Sequence, residues 1–164
     1  MKPVQVSADI PSMEREEVYD FLDLMANHEP FNDHFLIDWE LSGPERGVGS
    51  RARVRAVGAG AGPVDIEVVS ARAPETIVER NVGANGRRRA TGTYTLEELP
   101  RAGTRVVFTY AWEQAPLAER LAAPLVRAYV RRAVARSMER LADLLASSAS
   151  GAEHAQERSG PSRW

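Results

Sequence analysis

The feature that most constrains this chain is one long amphipathic helix near its C-terminus, within residues 116–148. From Pro124 onward Val126, Val130, Ala133, Val134, Ser137, Leu141, Leu144 and Leu145 recur at three- and four-residue steps, with Arg131, Arg132, Arg136, Glu139 and Asp143 opposite. A helix with a single apolar stripe needs a surface to cover it, so everything upstream is read as material to wrap around this element. Pro124 suits a first helical turn, where its missing donor costs nothing, and the helix is expected to begin there. Residues 116–123 then form a short separate turn or mobile lead-in. Residues 149–164 are rich in Glu, Arg, Ser and Gly and have no apolar period, so a disordered tail is expected after a domain spanning 1–148.

The upstream chain alternates. Val4, Val6, Ala8 and Ile10 interleave with Gln5, Ser7 and Asp9, a half-buried strand stopped by Pro11. Ser12 stands as a helix cap before Glu14, Glu16 and Glu17, and Val18, Phe21, Leu22 and Met25 give the helix, roughly residues 13–26, a buried face. Residues 27–34 contain Pro30 and are expected to turn or form one short helix. Period two then resumes, with Phe35, Ile37, Trp39 and Leu41 on one face, then Ala52, Val54 and Ala56, then Val64, Ile66 and Val68. The opposite faces carry Asp38 and Glu40, then Arg51, Arg53 and Arg55, then Asp65 and Glu67. Side by side these strands lay acidic, basic and acidic rows across a solvated surface. Three more strands follow, over residues 75–82, 88–99 and 105–112, the first two joined by an Asn85-Gly86 turn. Ala90, Gly92, Tyr94 and Leu96 share one face, and so do Val106, Phe108, Tyr110 and Trp112. The expected fold class is α+β: a curved antiparallel meander of about seven strands, in the order strand, helix, short helix, six strands, long helix, gripping the C-terminal helix on its apolar side.

Composition removes several functions. With 164 residues, 43% apolar and 27% charged, one core is expected. A formal charge of −2 gives no overall attraction to nucleic acid, and the lack of cysteine excludes disulfides, thiol catalysis and thiolate metal sites. No apolar run approaches the roughly 20 residues that span a bilayer, and the first residues lack a signal-peptide core, so no stable membrane insertion and a cytoplasmic location are expected. A homodimer is left open.

Several stretches together resemble the START-like (SRPBCC) superfamily of helix-grip proteins, the polyketide cyclase/dehydrase and lipid transport group. They are Val6 to Asp9 with Pro11 and residues 16–22; residues 47–51; Val68, Val69, Pro74 and Glu75; residues 92–97; and residues 103–106. The resemblance implies a deep apolar cavity between sheet and long helix that holds a hydrophobic small molecule such as a lipid or polyketide, and no metal or cofactor is implied. It also implies that some members catalyse cyclisation or dehydration there.

On the inferred inner face Trp39, Val54, Ile66, Tyr94, Phe108, Tyr110 and Trp112 meet Val126, Tyr129, Val130, Ala133 and Ser137 of the helix, and these are the expected ligand contacts. Plain core packing is the competing reading for the aromatics. The strand over 75–82 has ambiguous parity: either Ile77, Glu79 and Asn81 face inward, or Thr76, Val78 and Arg80 do. Glu79, Arg80 and Tyr110 are therefore the candidates for proton transfer, against a plainer surface pair of Glu79 with Arg88 or Arg89. Glu113 carries the same ambiguity. His28 and His34 flank Pro30 and read as surface turn residues, His154 lies in the tail, and the run Arg87 to Arg89 reads as a solvated hairpin end. A polyketide aromatase/cyclase or dehydratase, and a protein-interaction module that would have a filled core, stand as alternatives to a binder.

Overall fold

A computed structural model describes residues 1–11, 13–58 and 60–158, with side chains described as far as Ser148. The expected Ser12 cap lies outside the described residues. Helix α1 (Arg15–Asp23) instead opens on Glu14, whose N–H donates to the Glu17 carboxylate at 3.0 Å. A 3₁₀ turn (Met25–His28) and a short helix α2 (Glu29–Asn32) follow, as residues 27–34 suggested, though the first helix ends sooner than expected.

Seven strands form one antiparallel sheet in the order β1-β7-β6-β5-β4-β3-β2. They are β1 (Val4–Ile10), β2 (Leu36–Ser42), β3 (Arg51–Ala56), β4 (Gly62–Arg72), β5 (Thr76–Gly83), β6 (Arg88–Glu98) and β7 (Thr104–Gln114). From β2 to β7 the sheet is the expected meander, and β1 closes on β7 with Val4 opposite Tyr110 and Ile10 opposite Thr104. The charged rows meet as the alternation required: Asp38 with Arg55 at 2.7 Å, Arg53 with Asp65 at 3.7 Å, and Glu67 with both Arg51 at 2.9 Å and Arg80 at 2.5 Å. This ladder lies on the wet face, where solvent screens each pair, so it marks orientation more than it supplies stability.

The pairing of β2 departs from strict alternation where the site is concerned, and β4 and β6 carry register shifts of their own at Val68/Ser70 and Arg89/Ala90. The register of β2 shifts between Ile37 and Glu40, and Asp38 takes a φ of 58°. Leu36 pairs with Ala56 and Leu41 with Ala52 on the inner parity, Leu41 lying half exposed at the strand's end, whereas Ile37 pairs with Arg55 on the outer face. The bulge reverses parity, so Ile37 does not share a face with Trp39 as expected.

Two helices close the chain, α3 (Leu117–Leu121) and α4 (Ala123–Arg158). The separate lead-in is thus a real helix, and the long helix starts one residue before Pro124. Its backbone also stays helical through residues 149–158, past the expected end, for no proline interrupts it before Pro161; residues 159–164 lie outside the described residues. Helix α4 packs along β1 and over α2. It buries Ala133, Val134, Ser137, Met138, Leu141 and Leu145 against a core that includes Ile10, Leu22, Phe31, Ile66, Ile77, Tyr94 and Val106. Among the described residues no helix is long and apolar enough to cross a membrane.

Candidate functional site

A cavity lies between the concave face of the sheet and α4. Space open to the centre of a water molecule amounts to about 130 Å³, room for several waters or a small apolar body. Its wall includes Trp39, Ile66, Tyr94, Phe108, Tyr110, Trp112, Val126, Tyr129, Val130, Ala133 and Ser137, which the structure brings together from β2, β4, β6, β7 and α4. Val54 does not line it; that side chain is fully packed in the core of β3. The aromatic strand ends act on one another: the Tyr94 and Phe108 rings are 4.6 Å apart, and Tyr110 meets Trp112 edge-on at 4.9 Å. The Ser137 hydroxyl is already given to the Ala133 carbonyl at 3.2 Å, so it contributes shape more than a free polar group.

Parity of β5 is settled by its register. Ile77 lies opposite Tyr94, Glu79 opposite Gly92 and Asn81 opposite Ala90, and all three side chains are buried on the inner face. Arg80 points the other way and pairs with Glu67, so it is withdrawn as a catalytic candidate. Glu113 is likewise exposed, accepting from Thr91. Glu79 makes no surface pair with Arg88 or Arg89. Its side chain is 6% exposed and its Oε1 lies 3.2 Å from Nδ1 of His28, which is itself 3% exposed.

This corrects the reading of His28 as a surface turn residue. The 3₁₀ turn and α2 fold it inward, where Nε2 donates to the Leu22 carbonyl at 2.7 Å, Asn32 donates to the His28 carbonyl at 2.9 Å, and Phe31 and Tyr94 flank the ring. With Nε2–H committed to a carbonyl, Nδ1 and Glu79 share one proton between them. Burial pulls the His28 pKa down, but the Glu79 hydrogen bond and charge and the Leu22 carbonyl outweigh it and hold it above the ordinary value. Oε1 of Glu79 is enclosed beside His28, and among the described residues Oε2 has no donor, while the residue lines the apolar cavity. The phenols stay protonated: burial and then the Glu79 charge push Tyr94 well above the usual value, and burial lifts Tyr110 to about 12. Tyr110 can donate a hydrogen bond at neutral pH but cannot serve as a base.

His34 is not a free turn residue either; its Nε2 is 3.0 Å from the Ala133 carbonyl, and burial lowers its pKa. Among the described residues no group of three His, Asp or Glu side chains converges as a metal site would need.

The cavity wall also includes two contacts that sequence reasoning missed. Arg88 is not solvated: it forms a two-point ion pair with Glu119 of α3, its Nε 3.0 Å from Oε2, and donates to the Gly60 carbonyl at 3.2 Å. Tyr129 donates to the Val57 carbonyl at 2.5 Å. That reach needs Gly58, which has a φ of +81° and on which a Cβ would collide with the Tyr129 hydroxyl. Helix α3 is thus pinned over the cavity while Leu117, Leu121 and Leu125 stay exposed outside it. Glu119→Gln should raise the hydrogen-exchange rates of the α3 amides at least about tenfold, since a half-buried charged hydrogen bond contributes about 1.5–3 kcal/mol. Unchanged rates would show that the pair does not hold α3 down.

A seven-stranded curved sheet gripping a long helix around an apolar cavity defines a helix-grip fold. The family model for polyketide cyclase / dehydrase and lipid transport matches residues 1–146, and the chain belongs to that family. No curated protein sequence matches it. Among solved structures it is similar to TTHA0849 from Thermus thermophilus, at 22% identity over 90% of this chain and 99% of that one, with a TM-score of 0.67. It is similar to MLL2253 from Mesorhizobium loti, at 20% identity over 88% and 96%, TM-score 0.63. A point mutant of norcoclaurine synthase from Thalictrum flavum, solved with a transition-state analogue, matches at 12% identity over 88% and 93%, TM-score 0.67. Likenesses this distant establish the shared fold.

Proposed function

We propose that this protein binds a hydrophobic small molecule in the cavity between the sheet and α4. The observation that carries the reading is the cavity itself: in a chain whose core is otherwise close-packed, aromatic and aliphatic side chains from five elements stop short of filling the centre. An interaction module with a filled interior fits this less well. Family membership supports the same class of ligand, a lipid or polyketide, without choosing between them.

Nile red, an uncharged dye that brightens in apolar surroundings, should gain fluorescence with the wild type. Ala133→Phe puts a ring into the cavity from a buried helix position and should weaken dye binding at least about tenfold, while overpacking lowers stability by about 1–3 kcal/mol. Equal binding by a folded Ala133→Phe, or none by the wild type, would remove the cavity as the site.

The inward facing of Glu79 favours a second reading, acid–base catalysis on a poly-β-ketone held in the same cavity. Glu79→Gln with undiminished turnover in a cyclisation assay would discard it.

A further inference from the structure

We propose that the floor of the cavity is a recognition site for a neutral hydroxyl group, so that the ligand is an apolar alcohol or phenol whose oxygen-bound hydrogen is donated to Glu79. The inference rests on the binding reading above and names the ligand's polar end.

Three observations converge on it. First, Glu79 is more than nine-tenths buried and lines the cavity, and while Oε1 is enclosed beside His28, Oε2 has no donor among the described residues. A buried carboxylate left short of donors costs free energy comparable to a lost charged hydrogen bond, and a donor brought by the ligand recovers it. Second, the charge is already balanced. His28 neutralises Glu79 at 3.2 Å, and its other nitrogen is tied to Leu22. An ammonium head would add an uncompensated charge to an apolar site, and a carboxylate head would add a like charge beside Glu79; a neutral hydroxyl adds neither. Third, the inward row of β5 sets the Asn81 amide one inward position from Glu79, on the same wall. An amide there can donate to the oxygen of the hydroxyl while the carboxylate accepts its hydrogen, which a thiol or an ether would satisfy poorly. The remainder of the wall, from Ile66, Phe108, Val130 and Met138, suits an apolar body.

Equilibrium dialysis with probes that share one apolar body tests this: naphthalene, 2-naphthol, 2-naphthoate and 2-naphthylmethylammonium, each against the wild type, Glu79→Leu and the double variant His28→Leu with Glu79→Leu. The wild type should hold 2-naphthol at least about tenfold more tightly than naphthalene, as a hydrogen bond to a buried charge predicts, and should bind both charged probes more weakly than naphthalene. In both variants the advantage of 2-naphthol should vanish while naphthalene binding persists. Equal affinity for naphthalene and 2-naphthol in the wild type, tighter binding of either charged probe, or a hydroxyl preference that survives in the variants would overturn the proposal and leave the cavity reading standing. Binding of none of the four would remove the cavity reading and this inference with it. The wild-type ranking needs no variant, so a Glu79→Leu protein that fails to fold does not protect the proposal.

Discussion

His28→Leu should destabilise the protein by about 3–5 kcal/mol, the largest effect expected of any single polar substitution here, because it strands the Glu79 charge in an apolar interior. For a domain of this size that corresponds to a melting temperature lower by roughly 6–20 °C. The double variant with Glu79→Leu should recover most of the loss, since two apolar side chains of similar volume replace a buried pair at little net cost. A single variant as stable as the wild type would mean that the pair carries no energy. The pH dependence has a fixed sign. The folded-state pKa of His28 is raised, so its contribution is complete below the unfolded value of about 6.5 and is lost as pH rises through the folded value. In Glu79→Gln the charge of Glu79 is gone and burial is opposed only by the Leu22 carbonyl and the more distant Asp23 charge, so the His28 slope should weaken. His34, whose pKa is lowered, works in the opposite sense, its contribution fading as pH falls below about 6.5 in either protein. Denaturant midpoints between pH 5 and 8 for both proteins separate the two histidines.

Phe31→Ala should cost about 3–5 kcal/mol as well, by a different route. The ring is 0% exposed, sits in the main core cluster and packs 5.5 Å from the His28 ring, so its loss leaves a void under α2 and loosens the support of the Glu79 pair. Leu121→Ala, at a site 79% exposed, should change stability by less than about 0.5 kcal/mol. Urea titrations giving the two variants similar midpoints would contradict this account of the core.

Much of the architecture was legible because period two and period 3.6 are read directly from neighbouring residues. Alternation placed Tyr94 and Phe108 inward and Arg51, Arg53 and Arg55 outward without any knowledge of pairing partners. The stripe on the long helix needed only its own spacing, although Met138, buried and lining the cavity, was left out of it. Where apolar residues fall on both parities the signal is silent, as in β5, whose Ile77 faces one way and Val78 the other. A bulge also defeats local reading, because the extra residue at Asp38 turns Ile37 outward and leaves Trp39 facing in. His28 and Arg88 were misjudged for one reason: each sits in a polar, turn-like neighbourhood, and each is buried by a partner far along the chain, Glu79 and Glu119 respectively.

By itself the sequence determined the class of fold, the wet and dry faces of most strands, and the demand that a long helix be covered by a curved sheet. Those properties follow from local periodicity and from the free energy of burying apolar area, which depends little on exact pairing. The tertiary structure alone decided where the buried charges go: which face of β5 looks inward, that His28 is the partner of Glu79, and that Arg88 reaches Glu119 to hold α3 over the cavity. Electrostatic and hydrogen-bond terms act over a few ångströms between residues distant in sequence, so they are set by register and packing and are invisible to any window along the chain.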